Sequence, residues 1–406
     1  MHESNFSHQS SIPAYIVAGN NKAVLSWAAD VDPNTLLQAQ QIARSPAVSS
    51  DVALMADAHV GIGAPIGSVV VSQDAIIPAA VGVDIGCGMA AVHSGHTASQ
   101  LPDDLNSTLD AIASAVPAGF KSHPDTTGAA SRWLKKHPLP DKARTPGKAT
   151  AKIGTQLGTL GGGNHFIEIS LDEREHVWLV LHSGSRGVGN SLASMHIREA
   201  KRTCRRAARR LENSSLAYLT EDDPGFHPYI ADMLWAQKYA LANRFLMTEA
   251  VLKALRSTTK LDFSLATARL HIDCHHNYAV KERHAGMDVW VTRKGAIRVR
   301  VDDLGVIPGS MGDDTYIVRG RGCAMSYHSA SHGAGRVMSR TQAKRTITAE
   351  QLAESMAGKT WLSGEANRLT DEAPEAYRPI KGVIDAQREL IDVEHRLTAI
   401  LNYKGC

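Results

Sequence analysis

Charge of one sign, paired cysteines, aromatic clusters and long apolar runs are all missing from this sequence, and each absence narrows its class. Lys plus Arg (44) nearly balances Asp plus Glu (41), leaving a formal charge of +3, so net charge names no partner. The five cysteines (Cys87, Cys204, Cys274, Cys323, Cys406) are scattered with no CxxC, which argues against a disulfide framework and points to the cytoplasm. The best apolar run, Ala75 to Val83, stops at Asp84, far short of a membrane span. The N-terminus, with His2, Glu3 and Asn5, lacks the basic and apolar blocks of a signal peptide. Aromatic residues make up only 5% of the chain, which argues against a recognition surface built mainly from stacked rings. Against these, 43% hydrophobic and 21% charged residues over 406 positions exclude wholesale disorder and suffice for a large core.

What the sequence does have is histidine, 19 copies, many beside Gly, Asn, Asp or Cys rather than in apolar stripes. Metal chemistry is therefore the first expectation. Along the chain, IGSVVVS and DAIIPAAVGV read as short strands leading into the glycine-rich turn VDIGCGM. Lys121 to Ala151 lacks apolar periodicity and reads as a long surface excursion. VWLVLH reads as a strand, and helices are expected from about Ser191 to Arg256, with Leu234, Leu241, Phe245, Leu252 and Leu255 as their core face. Met287 to Val301 predicts a hairpin turning at RKG, and Ala386 to Ile400 a closing helix with Leu390, Val393, Leu397 and Ile400 inward. The polar glycine motifs extend from residue 57 to residue 404, so a site built from them needs the whole chain. The expected fold is one large α+β domain over residues 1–406, its mixed β-sheets flanked by helices around a deep metal-containing cleft.

Asp84 and Cys87 lie three apart in VDIGCGM, where the glycines allow a carboxylate and a thiol to converge. Oxygen with soft sulfur suits a divalent transition metal, although a lone D-x-x-C is more often a buried cysteine beside a turn-capping Asp. His165 follows GGGN, His182 ends VWLVL, His275 and His276 sit in DCHHNY, and His332 in SHGAGR. Any one of these histidines alone reads as a satisfied core residue; together with D-x-x-C they are enough for two metal ions. SGSRG and PGSMG are turns with exposed amides that can nest phosphate, and Arg186 in the first offers a fork for it. Arg198 to Arg210 holds seven basic residues in thirteen, with Arg198, Arg202, Arg205 and Arg209 on one helical stripe. That stripe is either a solvated face or a phosphate-backbone track.

With these residues in hand, the sequence closely resembles the RtcB family of RNA-splicing ligases. The resemblance runs from about Asp57 to Gly405 through MADAHVGIG, IIPAAVGVDIGCGM, LGTLGGGNHFIEI, LHSGSRGVGN, CHHNY, TRKGA, IPGSMG, SHGAGRVMSR, DEAPEAY and the terminal YKG. Residues 1–50 and 97–153 match less well. Two positions depart from the family pattern: Ile62 stands where many relatives carry Lys, and Thr315 where they often place a serine.

The resemblance implies an enzyme that joins RNA 3′-phosphate or 2′,3′-cyclic phosphate ends to 5′-hydroxyl ends with GTP and two Mn²⁺ ions per active site. It implies Asp84, Cys87, His165, His182 and His276 as metal ligands, and it is the family's pattern that selects His276 over His275. It makes His332 the histidine that carries GMP, and places the guanine nucleotide against Asn164, Glu168, Ser310, Thr315, Gly333, Gly335, Tyr377 and Lys404. Arg186, Arg202, Arg205 and Arg209 are the candidate RNA contacts, and an activating protein is a partner left open. Two other classes compete: a metal-dependent phosphohydrolase with no need of a guanine pocket, and a non-catalytic RNA-binding protein using the arginine stripe.

Overall fold

Strands Leu270–His275 and Asn277–His284 are separated by one residue, His276, yet belong to different sheets. The computed structural model describes residues 13–141 and 145–405; His2, Glu3, Asn5 and Cys406 lie outside them. The first sheet has six strands in the order Ala14–Gly19, Lys22–Ser26, Val52–His59, Ile66–Ser72, Met287–Lys294 and Asn277–His284. The second runs Leu270–His275, Gly88–Thr97, His176–Ser183, Phe166–Leu171, Ile391–Lys404, Thr315–Gly320 and Leu304–Pro308, with Thr360–Trp361 pairing parallel to Ile391–Lys404. Among the described residues no helix is long and apolar enough to cross a membrane, and four cysteines are free.

Both sheets are covered on both faces, which explains strands such as VALMA and GSVVV that are apolar without alternation. One face of the first sheet (Val24, Val52, Leu54, Val70) packs on helices, and the other (Ala53, Met55, Val69, Val71) on Ile297, Ile307 and Val318. In the second sheet Ile167, Leu179, Leu181 and Leu401 face the helices Asn106–Ala115 and Phe226–Thr259, while Met89, Phe166 and Val180 turn the other way.

The helix Phe226–Thr259 serves two cores in succession. Tyr229, Met233 and Tyr239 pack in the first, Met247, Val251 and Leu255 in the second. Between them Asn243 and Arg244 are fully buried. The expected leucine face is corrected here. Leu252 and Leu255 are buried, but Leu234, Leu241 and Phe245 are exposed, because the inward positions go to Met233, Asn243, Arg244 and Thr248.

Other expectations also change. DAIIPAAVGV is a two-residue strand, Ala75–Ile76, followed by a helical turn, Pro78–Val81, with proline at its start. Lys121 to Ala151 holds the helices Gly128–Lys136 and Gly147–Lys152, and Trp133 packs its ring 5.7 Å from Tyr239 and 6.0 Å from Trp235. Residues 142–144 of that stretch lie outside the described residues. Met287–Lys294 does not pair with Ala296–Arg298: the first pairs with Asn277–His284 and Ile66–Ser72, the second with Ser329–Ser331. The closing helix is instead the strand Ile391–Lys404; Leu390, just before it, and Leu397 are buried, but Val393 is exposed.

Candidate active site at the junction of the sheets

Neighbouring strands of the second sheet end at one edge. Register sets His275 opposite Gly88, Gly88 opposite Ser183, and Phe166 opposite both His182 and Lys404. Cys87, His165, His182 and His276 thus sit on adjacent strand ends, however far apart in sequence. The backbone N–H of His276 donates to the Cys87 carbonyl at 2.8 Å, locking the turn between the sheets to the DIGC loop.

The Cys87 Sγ lies 3.3 Å from both His165 Nε2 and His182 Nε2, His182 Nε2 lies 3.3 Å from His276 Nε2, and His165 Nε2 lies 3.1 Å from Asp84 Oδ2. All five expected metal ligands therefore converge. Burial, and then neighbouring imidazoles, hold His182 and His276 well below the ordinary histidine range, so both are neutral. The His182 Nδ1–H donates to the Asn164 carbonyl at 2.9 Å, which leaves the Nε2 lone pair facing the cluster. Burial, and then Asp84, push the Cys87 thiol up. Asp84 itself is held below the carboxylate range: burial acts upward but is outweighed by the His165 contact. At Gly184 a Cβ would come 2.3 Å from Asp84 Oδ1, so glycine there makes room for the carboxylate.

The cluster suits a divalent transition ion. Its lone pairs converge at spacings close to those of ligands around one ion with bonds of about 2.0–2.3 Å. Among the described residues the buried Nδ1 atoms of His165 and His276 find no hydrogen-bond partner, so protein groups alone leave these rings incompletely satisfied. His93, Asp172 and His176 form a second compact group at the opposite end of the same strands. There the Asp172 carboxylate accepts from the backbone of Arg174 and His176 and from Trp178 Nε1, and His93 Nδ1 accepts from Gly95, so that group reads as a tied turn.

His332 follows the strand Ser329–Ser331 and meets the cluster edge-on, its ring 4.8 Å from that of His276. Its Nδ1 lies 2.6 Å from Asp57 Oδ2, which also accepts from the backbone N–H of His332 and Gly333. Burial pushes the Asp57 carboxyl up, yet His332 more than offsets it and holds the group low. At Gly335 (φ 73°) a Cβ would meet the Asp57 carbonyl at 2.4 Å, so only glycine fits.

Beside His332 opens a cavity of about 280 Å³ lined by Asn164, Ser310, Gly333, Gly335, Tyr377 and Lys404 among others. Lys404 is 4% exposed and its Nζ lies 3.2 Å from Glu372 Oε2, far from a solvated terminal lysine. Tyr377 donates to the same carboxylate at 2.8 Å, and the Arg336 guanidinium stacks 4.7 Å from its ring. Burial acts upward on Glu372, but Lys404 and then Arg340 bring it down to about 2. Glu168 and Thr315, both 2% exposed, stand behind the cavity wall; Glu168 accepts from Asn402 at 2.7 Å, and burial pushes it up to about 8.

The arginines divide. Arg186 opens the helix Arg186–Arg206 beside the cluster, donating to Thr159 Oγ1 and, from Nη2, to the Gly119 carbonyl at 2.8 Å. Arg202 and Arg205 are exposed toward its far end, about 25 Å from Arg186 at ~1.5 Å per residue. Arg209 is not on their stripe. The helix ends at Arg206, Ala208 takes φ 49°, and Arg209 pairs with Asp223 at 2.7 Å.

Some site residues carried no sequence signal. Asp57, Glu372 and Asn402 lie inside or beside the motifs, but nothing in the sequence marks their roles. Arg244 had none either: fully buried, it donates to the carbonyls of Gly86 and Ser183 and to Asp273, bracing the loops that carry Cys87 and His182. His275, the rival of His276, turns away from the cluster, its Nδ1 2.8 Å from the Gly86 carbonyl.

Comparison with known proteins agrees with this geometry. A sequence profile of the family described as "tRNA-splicing ligase RtcB" matches residues 38–405, starting upstream of the first recognisable motif at Asp57. The chain is 40% identical to RNA-splicing ligase RtcB of Escherichia coli K12, over 96% of this chain and 99% of that protein. It is 30% identical to tRNA-splicing ligase RtcB of Aeropyrum pernix over 86% of each chain, and 29% identical to RNA-splicing ligase RtcB of Mycobacterium tuberculosis over 87% of this chain and 96% of that one. The chain belongs to the RtcB family.

Proposed function

We propose that this RtcB-family chain is an RNA ligase that joins 3′-phosphate or 2′,3′-cyclic phosphate ends to 5′-hydroxyl ends, using GTP and Mn²⁺, through GMP carried on His332. The observation that carries this reading is the Asp57–His332 pair at 2.6 Å, set between the donor cluster and the Lys404–Tyr377 cavity. With Nδ1 held by Asp57, the His332 Nε2 keeps its lone pair free as a nucleophile. Ions held by Asp84, Cys87, His165, His182 and His276 would supply positive charge for phosphates and the departing pyrophosphate.

The steps on the protein's own atoms are these. His332 Nε2 attacks the α-phosphorus of GTP; a P–N bond forms, the α–β anhydride bond breaks, and pyrophosphate leaves. Asp57 accepts the Nδ1–H and stabilises the imidazolium. Where the RNA end is cyclic, water opens it to a 3′-phosphate. An oxygen of that phosphate takes GMP from His332, and the 5′-hydroxyl then attacks the activated RNA phosphorus, expelling GMP. Activation is needed because a phosphate dianion is a poor electrophile. The cations Arg336, Arg340 and Lys404 line the cavity beside His332 and frame the nucleotide phosphates. Glu168, Ser310, Thr315, Asn164 and Tyr377 are the proposed guanine side.

Incubation with Mn²⁺ and α-labelled GTP should leave acid-labile, alkali-stable label on His332, and His332→Ala should abolish both label and ligation. GTP should label in preference to ATP, and more so above about pH 8, because an ionised Glu168 pairs with guanine's N1–H and 2-amino donors but is left unpaired against adenine's N1 acceptor at a cost of about 1–3 kcal/mol. Label mapped to Lys404, or persisting in His332→Ala, overturns the assignment. No label with cyclic-end hydrolysis intact makes the protein a phosphohydrolase.

A further inference from the structure

Few aromatic residues are exposed among the described residues, and one is extreme. Phe120 is 98% exposed, whereas the next most exposed aromatic among the described residues, Tyr15, reaches 66% and Phe245 46%. A single exposed apolar side chain is ordinary in itself. What distinguishes Phe120 is the backbone that carries it and where that backbone stands.

The loop is pinned at several points. Tyr403 Oη donates to the Val116 carbonyl at 2.9 Å and Leu160 N to the Pro117 carbonyl at 2.9 Å. Lys121 N returns to the Ala118 carbonyl at 3.2 Å, and His123 N bonds the Thr155 carbonyl at 2.9 Å. Arg186 Nη2 holds the Gly119 carbonyl at 2.8 Å. The ring is thus presented from a fixed loop, which limits the entropy lost when something packs on it.

That loop borders the cluster. Arg186 follows Ser185, whose backbone N–H donates to Asp84 Oδ1 at 3.2 Å. The facing wall, Gly161–Gly162, carries no side chains: a Cβ on Gly161 would strike His165 Nδ1, and one on Gly162 would reach Gly119 Cα at 3.7 Å. Through Gly119 the Phe120 loop packs against the Gly161–Gly162 backbone that backs His165, so Phe120 and the exposed Lys121 stand on the rim beside the Asp84–His165 side of the cluster. Phe120 does not line the nucleotide cavity beside His332.

We propose that Phe120 is a stacking platform for a nucleobase of the RNA strand whose end enters the cluster from the Asp84 side, with Lys121 adding charge beside its backbone. An aromatic face next to a cation on a rigid rim is how single-stranded nucleic acid is gripped without sequence readout. The platform deepens the ligase reading above and rests on it. Guanine of GTP shares the chemistry of a base, so the test carries an arm for each.

The probe is RNA bearing a 3′-phosphate and 2-aminopurine at one of the last three positions, whose fluorescence falls on stacking. With the Mn²⁺-loaded full chain, one position should be quenched on binding. Phe120→Ala and Phe120→Leu should lose that quench and raise KM for RNA about tenfold, with kcat at saturating RNA little changed. Phe120→Trp should restore both, and GMP labelling from GTP should be unchanged in all three. Unaltered quench and KM in Phe120→Ala overturn the proposal, as does a loss confined to kcat or to GMP labelling. If the wild-type chain neither labels nor ligates, the ligase reading fails by itself, while the quench still reports whether Phe120 meets a base.

Discussion

Glu168 and Glu372 are both buried beside Lys404, yet they carry opposite charge states. Glu372 is brought to about 2 against its burial by Lys404, Arg340 and the Tyr377 hydroxyl. Glu168 has mainly Asn402 and rises to about 8, so it is protonated at neutral pH before any ligand binds. Guanine's N1–H and 2-amino donors favour the ionised carboxylate. If Glu168 reads the base, GTP binding at pH 7 should therefore release close to one proton, and none well above pH 8. Calorimetry in buffers of different ionisation enthalpy measures it, and Glu168→Gln should abolish the release; no release in the wild type would move guanine recognition to the cavity's Glu372–Tyr377–Lys404 wall. The sign for stability follows. A raised folded-state value means the apo protein loses Glu168's contribution as pH rises from about 4.5 through 8, whereas Glu372's is present above about 4.5 and lost as pH falls toward 2. The donor cluster was partly legible in the sequence, because D-x-x-C and several histidines beside glycine turns together suggest metal chemistry, but only the family's pattern chose His276 over His275. Asp57, Asn402 and Arg244 were not legible, because what makes each matter is a partner far away in the chain.

At the scale of elements, periodicity was readable only where an element served one core. The strand Ile391–Lys404 shifts register opposite Ile317–Val318 and again between Ala399 and Leu401, so it lacks steady alternation and its Val393, Leu397 and Ile400 imitate a helical face. The helix Phe226–Thr259 bridges two cores with polar residues inward between them, so no single apolar stripe describes it. The basic run after Arg198 shows the same limit: a stripe drawn through Arg209 ignores where the helix stops. The two parts of that run should separate on mutation. Arg209→Ala removes a pair whose side chains are 20% and 12% exposed and should cost about 1–2 kcal/mol by denaturant midpoint, with RNA affinity unchanged. Arg202→Ala with Arg205→Ala should leave stability within about 0.5 kcal/mol and flatten the salt dependence of RNA binding by about 1.4 in logarithmic slope. An unchanged slope returns that helix end to a solvated face.

On the scale of the whole molecule, the site is a product of sheet closure rather than of any one segment. Asp57 comes from the first sheet, Cys87 and His182 from the second, His276 from the single residue between them, and Lys404 from the last strand. That strand lies inside the second sheet, not at its edge: residues 391–397 pair with Thr315–Gly320, and its last residues pair with Phe166–Leu171 and, at Leu401 and Asn402, with Thr360–Trp361. Its final residues are therefore core and site at once: Leu401 is fully buried, Tyr403 4% exposed and Lys404 4% exposed. Fully burying a Leu or similar side chain contributes about 1.5–3 kcal/mol, and a domain's whole margin is about 5–15 kcal/mol. Removing residues 398–406 also leaves the ladder groups of Phe166–Leu171 without partners on one side. The truncated chain should therefore fail to fold, losing its near-ultraviolet dichroism, whereas Lys404→Met should keep a cooperative melt and lose GMP labelling and, with it, ligation. A truncated chain that stays folded and binds Mn²⁺ would show the last strand to be an accessory to the nucleotide cavity, and the closure argument would fall with it.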